Sequence, residues 1–376
     1  MRVYIVHYSE IALKGKNRGY FEKKLVNNIR SKIGKDEKPK IRREYGRIVI
    51  ESDSPEIGEV LKKTPGVRYF AVAVKIDPHM DEITRSAVKL APDCGTFRVM
   101  TKRSFKEFPL NSMEVNRTVG ESILKSKENL KVDLENPEKT IYIEISSKNA
   151  YVYSERVEGI GGLPVGVSGR VVCLLSGGID SPVSAFMAMK RGAEAILVHF
   201  FNSTLHSPGV RKKIHDIARK LSEYHRLKLY MVPFKDIQLE IIRCIPSEYR
   251  MVVYRRSMMR MASMIADAEG AIGIFTGDNL GQVASQTLAN MRVIYRASDH
   301  PVFAPLIGFD KEEIVDMARK IGTYEISILP YDDCCSLMVS RHPVTKASLE
   351  EVERMEGACD LREKEAVENA EVFEYG

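Results

Sequence analysis

Apolar positions along this chain fall into two regimes. From the N-terminus, Val3–Tyr8 (VYIVHY) reads as a short strand, and residues 17–33 as a helix by the spacing of their apolar side chains. Residues 41–52 (IRREYGRIVIES) read as a hairpin, 55–63 as a second helix and 67–76 (VRYFAVAVKI) as another strand. A helix over 81–90, a strand over 96–102 and a helix over 113–127 follow, and the strand-rich segment 130–157 completes this half. Five glycines and one proline in residues 158–170 (EGIGGLPVGVSGR) break the pattern and predict a domain boundary. Beyond it, apolar runs at 170–175, 195–201, 227–232 and 271–276 predict strands, with helices over 209–224, 249–268 and 280–289.

The opening elements run β-α-β-β-α-β, the ferredoxin-like pattern. The second half alternates βαβ units, which predicts a doubly wound parallel sheet with its ligand at the carboxyl ends of the strands. The expected fold class is therefore α/β: two N-terminal α+β modules, over 1–70 and 71–165, then a parallel-sheet domain over 166–376. Three strand ends converge in that reading: the loop after Leu175, His199-Phe200, and Thr276-Gly277-Asp278. The tail from Leu349 holds ten acidic and three basic residues at helical spacing and is expected to be a solvated surface helix.

Composition narrows the class. A length of 376 residues predicts two or three domains, and 44% hydrophobic with 29% charged residues is the balance of a water-soluble globular protein. No apolar run approaches the roughly 20 residues that span a bilayer, and the N-terminus turns polar too early for a signal peptide. Six cysteines without framework spacing point to a reducing compartment, hence the cytoplasm. Charge is uneven: residues 1–165 carry 31 Lys+Arg against 23 Asp+Glu, net +8, and residues 166–376 carry 26 against 28, net −2. A basic excess confined to one half is an electrostatic footprint for a polyanion. Lys14, Lys16, Arg18, Lys102 and Arg103 are candidates for phosphate contacts on RNA.

Residues 170–191 (RVVCLLSGGIDSPVSAFMAMKR) carry the sharpest chemistry. An apolar strand ends in Ser176-Gly177-Gly178-Ile179-Asp180-Ser181, and a helix begins at once, with Pro182 in its first turn and Ser181 or Asp180 available as cap. Strand, glycine pair and helix N-terminus make a phosphate cradle. A Walker loop would add a lysine after its last glycine, and none stands here. SGGIDS instead resembles the PP-loop of ATP pyrophosphatases, which split ATP between the α and β phosphates.

The resemblance extends along the chain. Residues 8–18 (YSEIALKGKNR), a THUMP-like middle region, 174–184 (LLSGGIDSPVS), 276–287 (TGDNLGQVASQT), 308–314 (GFDKEEI) and Asp332-Asp333-Cys334-Cys335 resemble, in order, the motifs of the tRNA 4-thiouridine synthetase (ThiI) family. Membership implies a tRNA substrate and adenylation by ATP of O4 of the uridine at position 8. Sulfur then displaces AMP to give 4-thiouridine. Another PP-loop synthetase, forming a tRNA or amide product, and a catalytically inert RNA-binding protein are the alternative readings.

By the same resemblance the ATP-binding positions fall on Leu174, Leu175, Ser176, Gly177, Gly178, Asp180, Ser181, His199, Phe200, Arg255, Gly277 and Gln286. Asp180 holds Mg²⁺ or orients the attacking oxygen. Lys311 contacts phosphate or is an exposed lysine at a helix start. Arg255 pairs with phosphate or lies on a helix surface, and His199 serves the site or the core. Cys335 matches the catalytic cysteine, with Cys334 the second candidate. Cys173 and Cys94 are expected in core or structural roles. The sequence ends at Gly376 without the rhodanese-like domain of some members. Sulfur is therefore expected from a persulfide-carrying protein, from sulfide or through a second cysteine, and a link to thiamine thiazole formation is weakened. A homodimer is expected, because two RNA-binding modules would serve one tRNA.

Overall fold

A computed structural model describes residues 2–34, 39–202, 208–330 and 340–376. The chain divides into two compact units, one ending at Leu163 and the other beginning at Pro164. The first contains β1 (Arg2–His7), α1 (Arg18–Lys32), β2 (Lys40–Glu44), β3 (Arg47–Ser52), α2 (Ile57–Lys62) and β4 (Tyr69–Ile76). These strands lie in the order β2-β3-β1-β4, all antiparallel, which is the ferredoxin-like arrangement. Then come α3 (Met80–Leu90), β5 (Gly95–Arg103), α4 (Ser112–Ser126), β6 (Leu130–Val132), β7 (Lys139–Ile145), β8 (Ala150–Tyr153) and β9 (Val157–Glu158). They extend the same sheet as β4-β8-β7-β5-β6. The splice is β4, whose residues 69–73 pair with β1 while 74–76 pair with β8.

Strand alternation explains why β1 is buried on both sides. Tyr4 and Val6 pack with Leu25, Ile29, Ile57 and Leu61 of the helices, while Val3 and Ile5 pack with Tyr151 and Tyr153 of β8. Between those strands lies a polar group that sequence periodicity does not disclose. Glu144 of β7, 4% exposed, accepts from Tyr153 OH at 2.7 Å, meets His7 Nε2 at 2.7 Å and pairs with Arg47 Nη1. Burial pushes its carboxyl up, but His7, Arg47 and Tyr153 outweigh burial and hold it at about 2.

The second unit contains β10 (Arg170–Leu174), α5 (Asp180–Lys190), β11 (Glu194–Phe201), α6 (Pro208–Ser222), β12 (Leu227–Pro233), α7 (Lys235–Cys244), α8 (Arg250–Glu269) and β13 (Ile274–Phe275). After these come α9 (Leu288–Tyr295), β14 (Val302–Phe303), α10 (Lys311–Ile321), α11 (Tyr324–Ser327), α12 (Leu349–Glu356), α13 (Glu363–Glu368) and β15 (Glu371–Tyr375). The sheet order is β14-β13-β10-β11-β12-β15, parallel except for β15. Strand order reverses at β10, so the crevice between the carboxyl ends of β10 and β13 is the topological switch point.

Three expectations are corrected here. The strand expected over 271–276 is ladder-paired only at Ile274–Phe275. The helix expected over 280–289 is, up to Thr287, a loop with a single 3-10 turn at Ala284–Gln286, closed by Gly281 N–H on Gln286 O at 3.0 Å with Gly281 at φ +75°. A helix starts only at Leu288, where the Thr287 side chain caps Asn290 N–H at 3.2 Å. The acidic tail is two short helices and a strand, not one solvated helix. Its acids answer arginines of α8: Arg256 and Arg260 both bind Glu356, and Arg260 also binds Glu363. β15 then covers the edge of β12. Among the described residues, no helix is long and apolar enough to cross a membrane.

Candidate active site

The turn from β10 into α5 is pinched by serines at either end. Ser176 N–H donates to Ser181 Oγ at 2.8 Å, Ser181 Oγ donates to Ser176 O at 3.2 Å, and the two hydroxyls lie 3.0 Å apart. Neither Ser181 nor Asp180 caps the helix as the sequence suggested; Ile179 is the cap residue, without a side-chain hydrogen bond. Ser181 is spent on the loop, so the first-turn amides of α5 keep their capacity for an anion. A Cβ on Gly178 would have no neighbour nearer than Ser176 Oγ at 3.5 Å, so the loop is open there.

Beside the loop, a cleft of about 450 Å³ opens at the switch point. Ten of the twelve positions expected to bind ATP line it: all but Gly177 and Gly178. Leu174, Val198, Met251, Met258 and Val344 make much of the wall apolar, as a base-binding surface requires. His199 is 2% exposed, with Nδ1 2.8 Å from Leu175 O, so it braces the loop after β10. Phe200 lies against Phe234 in the core while it lines the cleft.

The opposite wall comes from the segment after β13. A Cβ on Gly277 would stand 2.8 Å from Ser181 N and 2.9 Å from Ser181 Cα, so only glycine lets this segment approach the helix end. Gly277→Ala is expected to force the two apart, at about 1–3 kcal/mol. Calorimetric titration with ATP should show at least tenfold weaker binding; unchanged affinity would mean the close approach is not needed.

Two ion pairs dominate the polar end. Lys311 Nζ, at the first position of α10, sits 2.7 Å from Asp180 Oδ1, and Gln282 Nε2 lies 3.5 Å from Oδ2. Lys311 is held there by a capping box, in which Asp310 and Glu313 satisfy each other's backbone amides. Arg255 Nη2 donates to both oxygens of buried Asp278, at 2.5 and 2.6 Å. Arg255 therefore enters the cleft paired to a carboxylate rather than as a lone cation. Burial pushes Asp278 up, but Arg255, Tyr295 and Thr276 prevail and hold it below the usual carboxylate range. From sequence, Asp278 was placed at one of the three converging strand ends but was given no role of its own.

Among the described residues, no group of three or more His, Cys, Asp or Glu side chains is placed to hold a metal ion. Asp180 is the one expected metal contact, and it supplies a single carboxylate. That fits Mg²⁺, which is usually held by one or two carboxylates together with substrate phosphates and waters.

The cysteines sort as follows. Cys173 is buried, and burial pushes its thiol up. Cys94, expected in a core or structural role, is exposed. Cys244 and Cys359 are half-buried neighbours; burial, then Cys359 and Glu240, push Cys244 up to about 12. Cys334 and Cys335, with Asp332 and Asp333, lie outside the described residues.

In the first unit the candidate RNA contacts divide. Lys16 and Lys102 are exposed, and Lys14 lies 5.2 Å from the Phe21 ring centroid. Arg18 is committed to Tyr8 OH at 2.7 Å and Glu22 at 2.8 Å, and Arg103 donates to Phe108 O at 3.0 Å. The Arg18 guanidinium also stands 5.0 Å from the ring of exposed Tyr45. Of the five, Lys14, Lys16 and Lys102 are therefore the better placed for phosphate.

A ferredoxin-like module, a second α+β module on the same sheet, and a PP-loop at the switch point of a parallel sheet define the PP-loop ATP pyrophosphatase class of fold with two N-terminal α+β modules. Family models match in the same order: ThiI ferredoxin-like domain over 3–71, THUMP domain over 78–155, and thiamine biosynthesis protein (ThiI) over 166–361. The chain belongs to the ThiI family. It is 46% identical to a probable tRNA sulfurtransferase of Thermoanaerobacter sp. (strain X514) over 355 residues, 93% of each chain. It is 40% identical to a probable tRNA sulfurtransferase of Brevibacillus brevis, over 99% of this chain and 96% of the relative. Among solved structures, a 4-thiouridine synthetase in complex with RNA and bound ATP superposes with a TM-score of 0.89. It shares 38% identity and covers 100% of this chain and 99% of its own.

Proposed function

We propose that the chain is an ATP-dependent tRNA sulfurtransferase that converts uridine 8 to 4-thiouridine. The observation that carries this reading is the uncapped helix end of the PP-loop, opening on a cleft whose lining includes ten of the twelve positions expected to bind ATP. In the first step, uridine O4 attacks the α-phosphorus of ATP and the bond to pyrophosphate breaks. In the second, a sulfur nucleophile adds at C4 and the C4–O4 bond breaks, with AMP as leaving group.

Each described residue has a task consistent with its position; Cys334 and Cys335, outside the described residues, are assigned by the family resemblance alone. The N–H groups of the loop and of the first turn of α5 hold the pyrophosphate oxygens through the charge shift. The apolar wall takes the adenine, with backbone groups of Leu175 and Phe200 at its edge. Lys311 and Arg255 bring cationic donors to the phosphates. Asp180 would hold Mg²⁺, whose charge would offset that of the phosphates. Lys14, Lys16 and Lys102 contact RNA phosphates and fix its register. Cys335, or Cys334 beside it, carries the thiol chemistry of the second step. Sulfur comes as sulfide, which adds at C4 directly, or from a persulfide-carrying protein. In the latter case the persulfide's terminal sulfur adds at C4 and a second thiol then breaks its S–S bond, leaving a disulfide that an external thiol reduces.

The test uses purified protein, unmodified tRNA, ATP, Mg²⁺ and sulfide, with the product run on a mercury-containing gel. A retarded band that requires ATP is the expected result. Pyrophosphate formed only with tRNA, but without the band, would confine the chain's own chemistry to adenylation. Formation of neither product would overturn the reading.

A further inference from the structure

Asp278 joins three segments that line one cleft. Its Oδ1 accepts from Arg255 Nη2 at 2.5 Å and from Gln286 Nε2 at 3.2 Å. Its Oδ2 accepts from the same Arg255 nitrogen at 2.6 Å and from Tyr295 OH at 2.7 Å. Asp278 is 4% exposed, and every partner donates to it, as an ionised carboxylate requires.

This fixes a choice that an isolated glutamine leaves open. A carboxylate only accepts, so the Gln286 group facing it must be the NH₂. The carbonyl Oε1 is thereby turned away from Asp278. That oxygen is itself buried and has no hydrogen-bond partner among the described residues, although Gln286 lines the cleft. A buried acceptor left unmade is costly. Since Oε1 is closed to the cleft in this structure, a small shift of the Gln286 side chain on binding matches it to a donor brought by a ligand.

We propose that Asp278 is a positioning residue that fixes Gln286 as a hydrogen-bond acceptor toward the nucleoside, for a ribose hydroxyl or the adenine amino group. The inference rests on the nucleotide-binding reading above and adds a basis for selectivity to it. A nucleotide that lacks the matched donor leaves Oε1 unpaired in the complex and binds more weakly. An asparagine at 278 removes the constraint: its own NH₂ can donate to Gln286 Oε1, and the glutamine amide then turns over.

Calorimetry with ATP, 2′-deoxy-ATP, 3′-deoxy-ATP and inosine triphosphate tests this in the full chain. The wild-type chain is expected to bind one of the three analogues about tenfold more weakly than ATP, and that analogue identifies the donor. Asp278→Asn is expected to bring the ratio close to one. Gln286→Met should do the same, and the double variant should go no further. The ratio is decisive because structural damage weakens all four nucleotides alike. Equal binding of all four by the wild-type chain overturns the proposal, as does a ratio that persists in Asp278→Asn or falls only as part of a uniform loss. Persistence in Gln286→Met overturns it even if Asp278→Asn does not fold. Absence of ATP binding to the wild-type chain would instead remove the nucleotide reading itself.

Discussion

Asp180→Ala is expected to lower tRNA-dependent pyrophosphate release by about a hundred- to a thousandfold, while Cys335→Ala leaves that release intact and abolishes thiolation from a persulfide donor. The split follows from the order of the two steps. Asp180 stands in the first turn of α5 and anchors Lys311 at 2.7 Å, so its loss disturbs the acidic and the basic groups of the phosphate end together. ATP affinity should change far less, because the apolar wall and the loop amides are untouched. A thiol is needed only once the uridine oxygen has been made a leaving group. Measuring pyrophosphate and thiolated tRNA in the same reactions separates the two roles. Loss of pyrophosphate release in Cys335→Ala would contradict the two-step assignment, and so would near-normal release in Asp180→Ala.

Glu144→Gln should carry the largest stability cost in the first unit. It leaves the Arg47 side chain, 3% exposed, beside a neutral amide in a buried site. Removing one member of a buried ion pair costs about 3–5 kcal/mol, because the remaining charge is stranded. The same group makes the unit sensitive to acid. The folded carboxyl sits at about 2, below its ordinary 4.5, so its contribution is complete above 4.5 and is lost as pH falls through 2. The loss is on the order of 3 kcal/mol. Thermal melts from pH 7 to pH 2 should show a fall in the wild-type chain that is much shallower in Glu144→Gln. Equal melting temperatures at pH 7 would show that the pair contributes nothing net.

The SGGIDS turn was legible because it is local: strand, glycine pair and helix start follow one another within a few residues. Gly277 was placed at a strand end, but its binding role came only from the resemblance, since the Ser181 backbone it approaches is distant in the chain. The Asp310–Glu313 capping box was not read from the sequence. Asp180 and Lys311 were each singled out, but their contact was not, because 131 residues separate them. Arg255 was expected as a phosphate partner; its pairing to Asp278 depends on how α8 packs against the segment after β13. The loop at 280–287 misled the helical reading because Leu280, Val283 and Ala284 fit helical spacing, while Gly281 and the Thr287 cap favour a turn.

The sequence by itself determined the ferredoxin-like order of the first elements, the βαβ alternation and parallel core of the second sheet, and the strand–glycine–helix form of its loop. These follow from period, turn residues and side-chain type over short stretches. Only the tertiary structure decided which charges became neutral pairs. It turned the acidic tail into a partner for Arg256 and Arg260 and into an edge strand on β12, and it placed Glu144 between His7 and Arg47. The physical reason is distance along the chain: a charged residue reads as solvated until folding brings its counter-charge near and excludes water from both.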